Sequence, residues 1–168
     1  MKKALIILTD GFEETEAIVP IDLLRRAGID VTVAGLGKRE VCGSHNIKVI
    51  ADAVLGVDVY DAVILPGGPG VSTLIDDENV LQTVKRHYDD GRLCAAICAA
   101  PKVFEKLGML ENRTWTSYFA GNEAAVLHGN VITAKAAGTS VEFSFEIIKY
   151  LLGKEAAQEV VDMIYYKL

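Results

Sequence analysis

Cysteine, histidine and tryptophan are scarce in this chain, which has three cysteines, three histidines and one tryptophan in 168 residues. Three cysteines at uneven spacing predict neither a disulfide framework nor a zinc site, and they favour a reducing, cytoplasmic setting. We therefore expect no bound metal and no cofactor.

Positive charge is also in deficit, with 17 Lys and Arg against 23 Asp and Glu, a net charge of −6. This balance argues against a nucleic-acid partner. No apolar run approaches the roughly 18–20 residues of a membrane span, so we expect no membrane association. The opening MKKALIIL is too short in its apolar part for a signal peptide and is typical of a first strand. With no linker, repeat or low-complexity tract, we expect a single domain over residues 1–168.

Aliphatic residues, by contrast, are abundant: 51% of the chain is hydrophobic but only 7% is aromatic. This composition is typical of α/β proteins with a buried parallel sheet. Helical and strand-like segments alternate, which predicts a mostly parallel sheet with helices on both faces. The predicted strands are 4–8, 29–34, 61–65, 92–97, 114–117 and 131–133. The predicted helices are 13–27, 79–89, 99–107, 140–152 and 154–166, and a hairpin or small arm is predicted within 35–52.

Cys98 stands out because it ends a short apolar strand and is followed at once by a helix with Pro101 in its first turn. A thiol at this junction faces the positive end of the helix dipole, so we expect its pKa to be depressed and the thiolate to be favoured. Cys94 lies inside the strand and is expected to be inert core, while Cys42 is expected to be a non-catalytic thiol of the arm.

Three strand ends of unusual composition would meet at one edge of the sheet if their strands are neighbours. They carry the acidic run 10–16, the Gly-rich run 66–70 and Cys98. Such a set suffices for covalent chemistry on a carbonyl. Cys98 would attack, and the backbone N–H groups of Gly68 and Ala99 would stabilise the oxyanion.

Four motifs carry a resemblance to a known family: GFEETEA at 11–17, LPGG at 65–68, AAICAAP at 95–101 and AGTSVEF at 137–143. In this order they resemble the ThiJ/PfpI superfamily, in the branch of the parkinsonism-associated protein deglycase and its bacterial relatives. The resemblance implies a flavodoxin-like three-layer α/β sandwich that forms a homodimer. It also implies that Cys98 is the nucleophilic, oxidation-sensitive cysteine and Glu16 the buried acid that hydrogen-bonds it. Gly67 and Gly68 match the loop that supplies a backbone amide.

The chain departs from the family pattern in its histidines. Members described as proteases place a histidine directly after the cysteine, where this chain has Ala99, and the histidine of a later loop is replaced by Tyr118. Without a Cys-His pair, peptide hydrolysis is disfavoured. Tyr118 is equally compatible with pocket lining and plain packing. His45 is of interest because the family's arm approaches the active site of the partner subunit.

The function expected from these observations is cofactor-free processing of reactive dicarbonyls such as glyoxal and methylglyoxal, either free or as early adducts on protein side chains. The activity would be of the glyoxalase III or protein deglycase type. The alternative is a redox-sensing stress protein or chaperone in which Cys98 oxidises to a sulfinate without significant turnover. Both readings use the same site residues.

Overall fold

A seven-stranded sheet forms the centre of the molecule in the computed structural model, which describes residues 1–167. The strand order is β5-β2-β1-β6-β7-β9-β8, with β8 antiparallel to β9 and the other neighbours parallel. These strands are β1 (Lys3–Leu8), β2 (Asp30–Gly35), β5 (Ala53–Val54), β6 (Ala62–Leu65), β7 (Leu93–Ile97), β8 (Ala125–His128) and β9 (Val131–Ala134). A separate two-stranded ribbon consists of β3 (Glu40–Cys42) and β4 (Lys48–Ile50).

Helices cover both faces of this sheet. The helices are α1 (Glu14–Arg26), α2 (Val71–Leu74), α3 (Glu78–Asp89), α4 (Pro101–Lys106), α5 (Ser140–Leu152) and α6 (Lys154–Met163). One hydrophobic cluster joins α1, α5 and α6 to one face, and a second joins α2, α3 and α4 to the other. The expected three-layer α/β sandwich is therefore confirmed.

The central strands are almost wholly buried because both of their faces are covered. Every residue of β6 and β7 is buried, as are the last five residues of β1. This two-sided burial explains why these segments are continuous aliphatic runs rather than alternating patterns. It also brings the carboxyl ends of β1, β6 and β7, which are neighbours in the sheet, to one edge.

The β3–β4 ribbon is the arm expected within residues 35–52. Two hydrogen bonds attach it to the loop after β1: the N–H of Cys42 donates to the Oδ1 atom of the Asp10 side chain (2.9 Å), and the N–H of Gly11 donates to the Cys42 carbonyl (2.8 Å). The arm therefore lies beside the same sheet edge.

The prediction of a strand at 114–117 is wrong. The Thr116 N–H donates to the side chain of Thr133 (2.9 Å), and the Thr116 hydroxyl bonds within its own loop, to the carbonyls of Ala120 and Glu123. These side-chain bonds replace a backbone ladder, as threonine and serine often do in loops.

The strand that pairs with β9 is instead β8, which the sequence analysis missed. It joins β9 through the two residues Gly129 and Asn130, with Gly129 at φ +66°. A Gly-Asn pair between two apolar runs is a hairpin signal, so β8 was detectable in principle.

Within residues 1–167, no helix has the length and apolar character needed to cross a membrane.

His87, on α3, is fully buried and acts as a structural connector. Its Nδ1 lies 2.7 Å from the Thr83 carbonyl, and its Nε2 accepts the Tyr60 N–H at 3.1 Å. The second bond requires an unprotonated Nε2, and burial lowers the pKa of His87 accordingly.

We expect His87→Leu to destabilise the protein by about 1–3 kcal/mol, because the Tyr60 N–H loses its acceptor. The stabilisation by neutral His87 should be complete above about pH 6.5 and lost as the pH falls through the lowered native pKa, because the unfolded chain takes up the proton first. Urea unfolding between about pH 7.5 and pH 5 should therefore show a smaller pH dependence in His87→Leu. The exposed His128→Leu serves as control, and equal pH dependence in His87→Leu and the parent would contradict this role.

Candidate active site

Cys98 occupies a sharp turn between β7 and α4. Its φ is +63°, in the left-handed region that residues other than glycine seldom adopt. Two backbone hydrogen bonds hold it there: its N–H donates to the Ala134 carbonyl (3.0 Å), and its carbonyl accepts the N–H of Tyr118 (2.9 Å). A nucleophile on a strained strand-to-helix turn is a known arrangement in α/β hydrolases, where it exposes the reactive atom at the sheet edge.

Glu16, in the first turn of α1, points its carboxyl group at this sulfur. Its side chain is 1% exposed, it accepts the Gly67 N–H at 2.9 Å, and it is hydrogen-bonded to the Cys98 thiol. The N–H of Ala137 adds a further hydrogen bond. Burial raises the pKa of Glu16 to about 7, against the lowering effect of these hydrogen bonds. The carboxyl group is therefore able to hold or release a proton near neutrality.

The loop after β6 passes so close to Glu16 and Cys98 that glycine is required there. A Cβ on Gly67 would lie 2.7 Å from Glu16 Oε2 and 2.8 Å from the Cβ of Cys98. Gly68 adopts φ +93°, and a Cβ there would lie 2.5 Å from the carbonyl oxygen of Gly11. The loop after β6 can therefore fit between α1 and the Cys98 turn only without side chains.

The amides of the two glycines have different partners. The Gly67 N–H binds Glu16, whereas the N–H groups of Gly68 and Ala99 hydrogen-bond the Cys98 sulfur. The structure thus brings the expected residues Cys98, Glu16, Gly68 and Ala99 together. Gly67 positions the acid rather than the sulfur.

The expected depression of the Cys98 pKa is wrong. Burial of the sulfur, followed by the charge of Glu16 and the hydrogen bond to it, raises the pKa of Cys98 to about 12. The Ala99 and Gly68 amides lower it but are outweighed. The following helix, α4, is only six residues long, so its dipole gives little help. The resting pair therefore carries its first negative charge on Glu16, with Cys98 as a thiol.

The other two cysteines are not part of this arrangement. Cys94 is fully buried in β7, and burial raises its pKa to about 12. Cys42 is half-buried on the arm.

His45 lies on the arm and contacts α1 rather than Cys98. Its N–H (2.6 Å) and its Nδ1 (2.9 Å) both contact the buried carboxylate of Glu14, and its own side chain is 72% exposed. Burial works to raise the pKa of Glu14, but hydrogen bonds from His45 outweigh it and lower the pKa to about 2. The same ion pair raises the pKa of His45. This pair fixes the arm against the start of α1.

Glu13, Glu14 and His45 form a group whose ligand-type atoms lie within 4.8 Å of one another. Each already has a protein partner, because Glu13 accepts the Glu16 N–H (2.7 Å) while Glu14 and His45 bind each other.

Tyr118 reaches the site through its backbone. Its side chain is 61% exposed and packs edge-on against Phe119, while its N–H binds the Cys98 carbonyl. The sequence left the role of this residue open, whereas the structure gives its main chain a positioning role. The phenol is not in hydrogen-bond contact with any group of residues 1–167.

Comparison with known proteins identifies the family of the chain. A model of the DJ-1/PfpI family matches residues 2–150. The chain belongs to the DJ-1/PfpI family. It is 40% identical over 176 residues to protein dj-1beta of Drosophila melanogaster, covering 95% of this chain and 94% of the relative. The crystal structure of that organism's DJ-1beta matches with a TM-score of 0.95 at 37% identity, covering 99% of each chain.

A further DJ-1/PfpI relative carries a functional name. The chain is 32% identical over 176 residues to the glutathione-independent glyoxalase DJR-1.2 of Caenorhabditis elegans, covering 95% of this chain and 94% of the relative. The family and the flavodoxin-like fold implied by the resemblance are therefore confirmed, and the relatives include a protein named as an enzyme.

Two contributors to this DJ-1/PfpI site were missed by the sequence analysis. Ala137, which begins the quoted motif at 137–143, supplies an amide to Glu16, and the motif itself was the available signal. Ala134, at the end of β9, accepts the Cys98 N–H. Its role depends on the register of β9 against β7, which no local pattern reveals.

The pKa of Glu16 predicts how Cys98 reactivity varies with pH. Below about pH 7 the carboxyl group is protonated and cannot take the thiol proton, whereas above it the carboxylate can do so. We expect the rate of Cys98 alkylation by iodoacetamide to rise with pH through an inflection near 7. This inflection should disappear in Glu16→Gln, where alkylation follows the ionisation of the thiol alone. Site-resolved mass spectrometry should also show Cys98 labelled before Cys94, because Cys94 is fully buried. A parent profile without the inflection would contradict the coupling.

Proposed function

We propose that this DJ-1/PfpI protein is a cysteine-dependent, cofactor-free enzyme that converts 2-oxoaldehydes such as glyoxal and methylglyoxal into 2-hydroxy acids. The observation that carries the proposal is the hydrogen-bonded pair of Cys98 and the buried Glu16, whose pKa is raised to about 7. An acid–base group with a pKa near the working pH is best placed both to accept and to donate a proton. The relative named as a glutathione-independent glyoxalase supports the same reaction class.

The first step is addition of the thiol to the aldehyde. As the sulfur attacks, the Glu16 carboxylate takes the thiol proton, a C–S bond forms, and the carbonyl π electrons move to oxygen. The Gly68 and Ala99 amides, already directed at the sulfur, are placed to stabilise the oxyanion. Glu16 then gives the proton to that oxygen, which yields a hemithioacetal.

The second step moves a proton between two carbons. Glu16 takes the proton from the former aldehyde carbon, and the neighbouring carbonyl oxygen gains a proton, which gives an enediol. The hydroxyl group on the first carbon then loses its proton as the neighbouring carbon receives one, which leaves a thioester beside an alcohol. The first carbon is oxidised by two electrons and the second is reduced by two, so no external oxidant is needed. Water then cleaves the resulting thioester, which releases the 2-hydroxy acid and regenerates the thiol.

The proposed reaction does not need the group that the site lacks, a histidine next to Cys98. Peptide hydrolysis needs an acid that protonates a leaving amine, usually a histidine, and position 99 is alanine. Addition to an activated aldehyde needs one mobile proton, which Glu16 supplies. Early adducts of dicarbonyls with protein side chains offer the same reactive carbon, so glycated side chains are included among the proposed substrates.

Glu16→Gln separates turnover from thiol reactivity. Glutamine keeps the size of the side chain but cannot exchange the proton, so we expect lactate formation from methylglyoxal to fall at least about 100-fold. Cys98 alkylation above about pH 8 should persist, because the charge that raises the thiol pKa is removed. Metal-free protein, assayed for lactate at steady state, provides the measurement, with Cys98→Ser as the inactive control.

Turnover by Glu16→Gln within a few-fold of the parent would exclude Glu16 from the mechanism. Absence of turnover in the parent, together with selective oxidation of Cys98 by peroxide, would instead favour the redox-sensing alternative. In that case the Glu16 hydrogen bond would serve to stabilise a cysteine sulfinate.

We also propose that the protein is a homodimer, as the family resemblance implies. Isoleucine side chains on α1 and the arm are unusually exposed: Ile18 by 43%, Ile47 by 55% and Ile50 by 62%. An interface of the standard ~1,600 Å² would cover such residues.

We expect sedimentation at micromolar concentration to give twice the 18.1 kDa chain mass, and Ile47→Glu to shift the sedimenting species toward the monomer. A parent that sediments as a monomer would contradict the proposal and any role of His45 in a partner's site.

A further inference from the structure

A cavity of about 390 Å³ adjoins the amides that face the Cys98 sulfur. Gly68 and Ala99 form the side that it shares with the candidate active site, and Pro69, Val71 and Ile75 form a largely apolar wall. Ser72 and Lys102 complete the rim. A volume in this range is typical of small-molecule sites and far exceeds what the methyl group of methylglyoxal would fill.

Lys102 gives the cavity a positive charge. Its side chain is exposed, and no acidic group within residues 1–167 forms an ion pair with it. By contrast, Lys106, one turn further along α4, lies 3.0 Å from Asp76. The cavity therefore carries a cation that protein carboxylates do not neutralise.

The ammonium group of Lys102 is also held in place. It lies 4.0 Å from the centre of the Phe119 ring, within the range of a cation–π contact. Phe119 belongs to the loop that Tyr118 ties to the Cys98 carbonyl. The loop that fixes the Cys98 turn thus also orients Lys102.

The other rim residue does not compete for an anion. The Ser72 hydroxyl donates its proton to the Pro69 carbonyl at 2.9 Å. Lys102 is therefore the rim group placed to donate hydrogen bonds to a carboxylate.

We propose that this cavity binds the substituent of the substrate, and that Lys102 selects 2-oxoaldehydes whose substituent has an apolar body and ends in a carboxylate. The proposal rests on the proposed function and narrows its substrate class. The apolar body packs on Val71 and Ile75, the carboxylate pairs with Lys102, and the aldehyde carbon is left at the Cys98 sulfur.

The first test uses alkylation, which does not depend on turnover. Iodoacetate carries the carboxylate that iodoacetamide lacks, so the ratio of their rates at Cys98 reports on local positive charge. We expect Lys102→Gln to lower this ratio about five-fold or more and Lys106→Gln to leave it unchanged, because Lys106 is already paired. An unchanged ratio in Lys102→Gln would overturn the role of Lys102.

The second test compares kcat/KM for 4-carboxyphenylglyoxal and phenylglyoxal, which differ only in the carboxylate. We expect the parent to prefer the charged compound about ten-fold, Lys102→Gln to lose that preference, and the control Lys106→Gln to retain it. Equal values for both compounds in the parent, with turnover intact, would overturn the subsite and leave the proposed function standing. Absence of all turnover, with the alkylation ratio still dependent on Lys102, would overturn the proposed function and support the anion subsite.

Discussion

The buried carboxyl group of Glu16 is the contact on which the rest of the site depends. A carboxyl group removed from water is costly unless hydrogen bonds satisfy it. Here the partners come from three different segments: the Gly67 amide after β6, the Cys98 thiol after β7 and the Ala137 amide after β9. One side chain of α1 thereby joins three strand ends at the carboxyl edge of the sheet. The same burial that makes Glu16 expensive raises its pKa to about 7, which suits it to proton transfer.

The position of the sulfur has its own cost, which is backbone strain. Left-handed backbone costs a residue with a side chain roughly 1–2 kcal/mol, and Cys98 is held there by its bonds to Ala134 and Tyr118. Cys94, in the same strand, shows what regular β geometry would give: it is fully buried, and its thiol donates to the Val84 carbonyl at 3.7 Å. The turn therefore converts a core position into a half-exposed one that still touches Glu16.

The features that the sequence predicted are those set by local pattern and strand topology. Aliphatic runs ending in turn residues located β1, β6 and β7, and parallel pairing of neighbouring strands brings the acidic run 10–16, Gly68 and Cys98 to one edge. The resemblance to the ThiJ/PfpI superfamily singled out Glu16 from that run. The prediction of a strand at 114–117 failed because the Thr133 side chain, distant in sequence, accepts the Thr116 N–H in place of a neighbouring strand. The prediction of a depressed Cys98 pKa failed for a related reason. The helix after Cys98 is short, and the balance between desolvation and two amides depends on packing that composition does not reveal.

In the proposed reaction, proton transfer and binding of the substrate substituent are carried out by different groups around the Gly68 and Ala99 backbone. In that reaction Glu16 transfers the proton, and the cavity with Lys102 adjoins Gly68 and Ala99. This separation matters because the protein has a net charge of −6, which disfavours anionic substrates at long range. Screening limits that repulsion to about 8 Å at physiological salt, so a cation in the adjoining cavity, as proposed for Lys102, would act on an anionic substrate at close range. In the proposed binding mode the substrate carboxylate pairs with Lys102 while the reacting carbon lies beside Glu16, so the two negative charges have different partners.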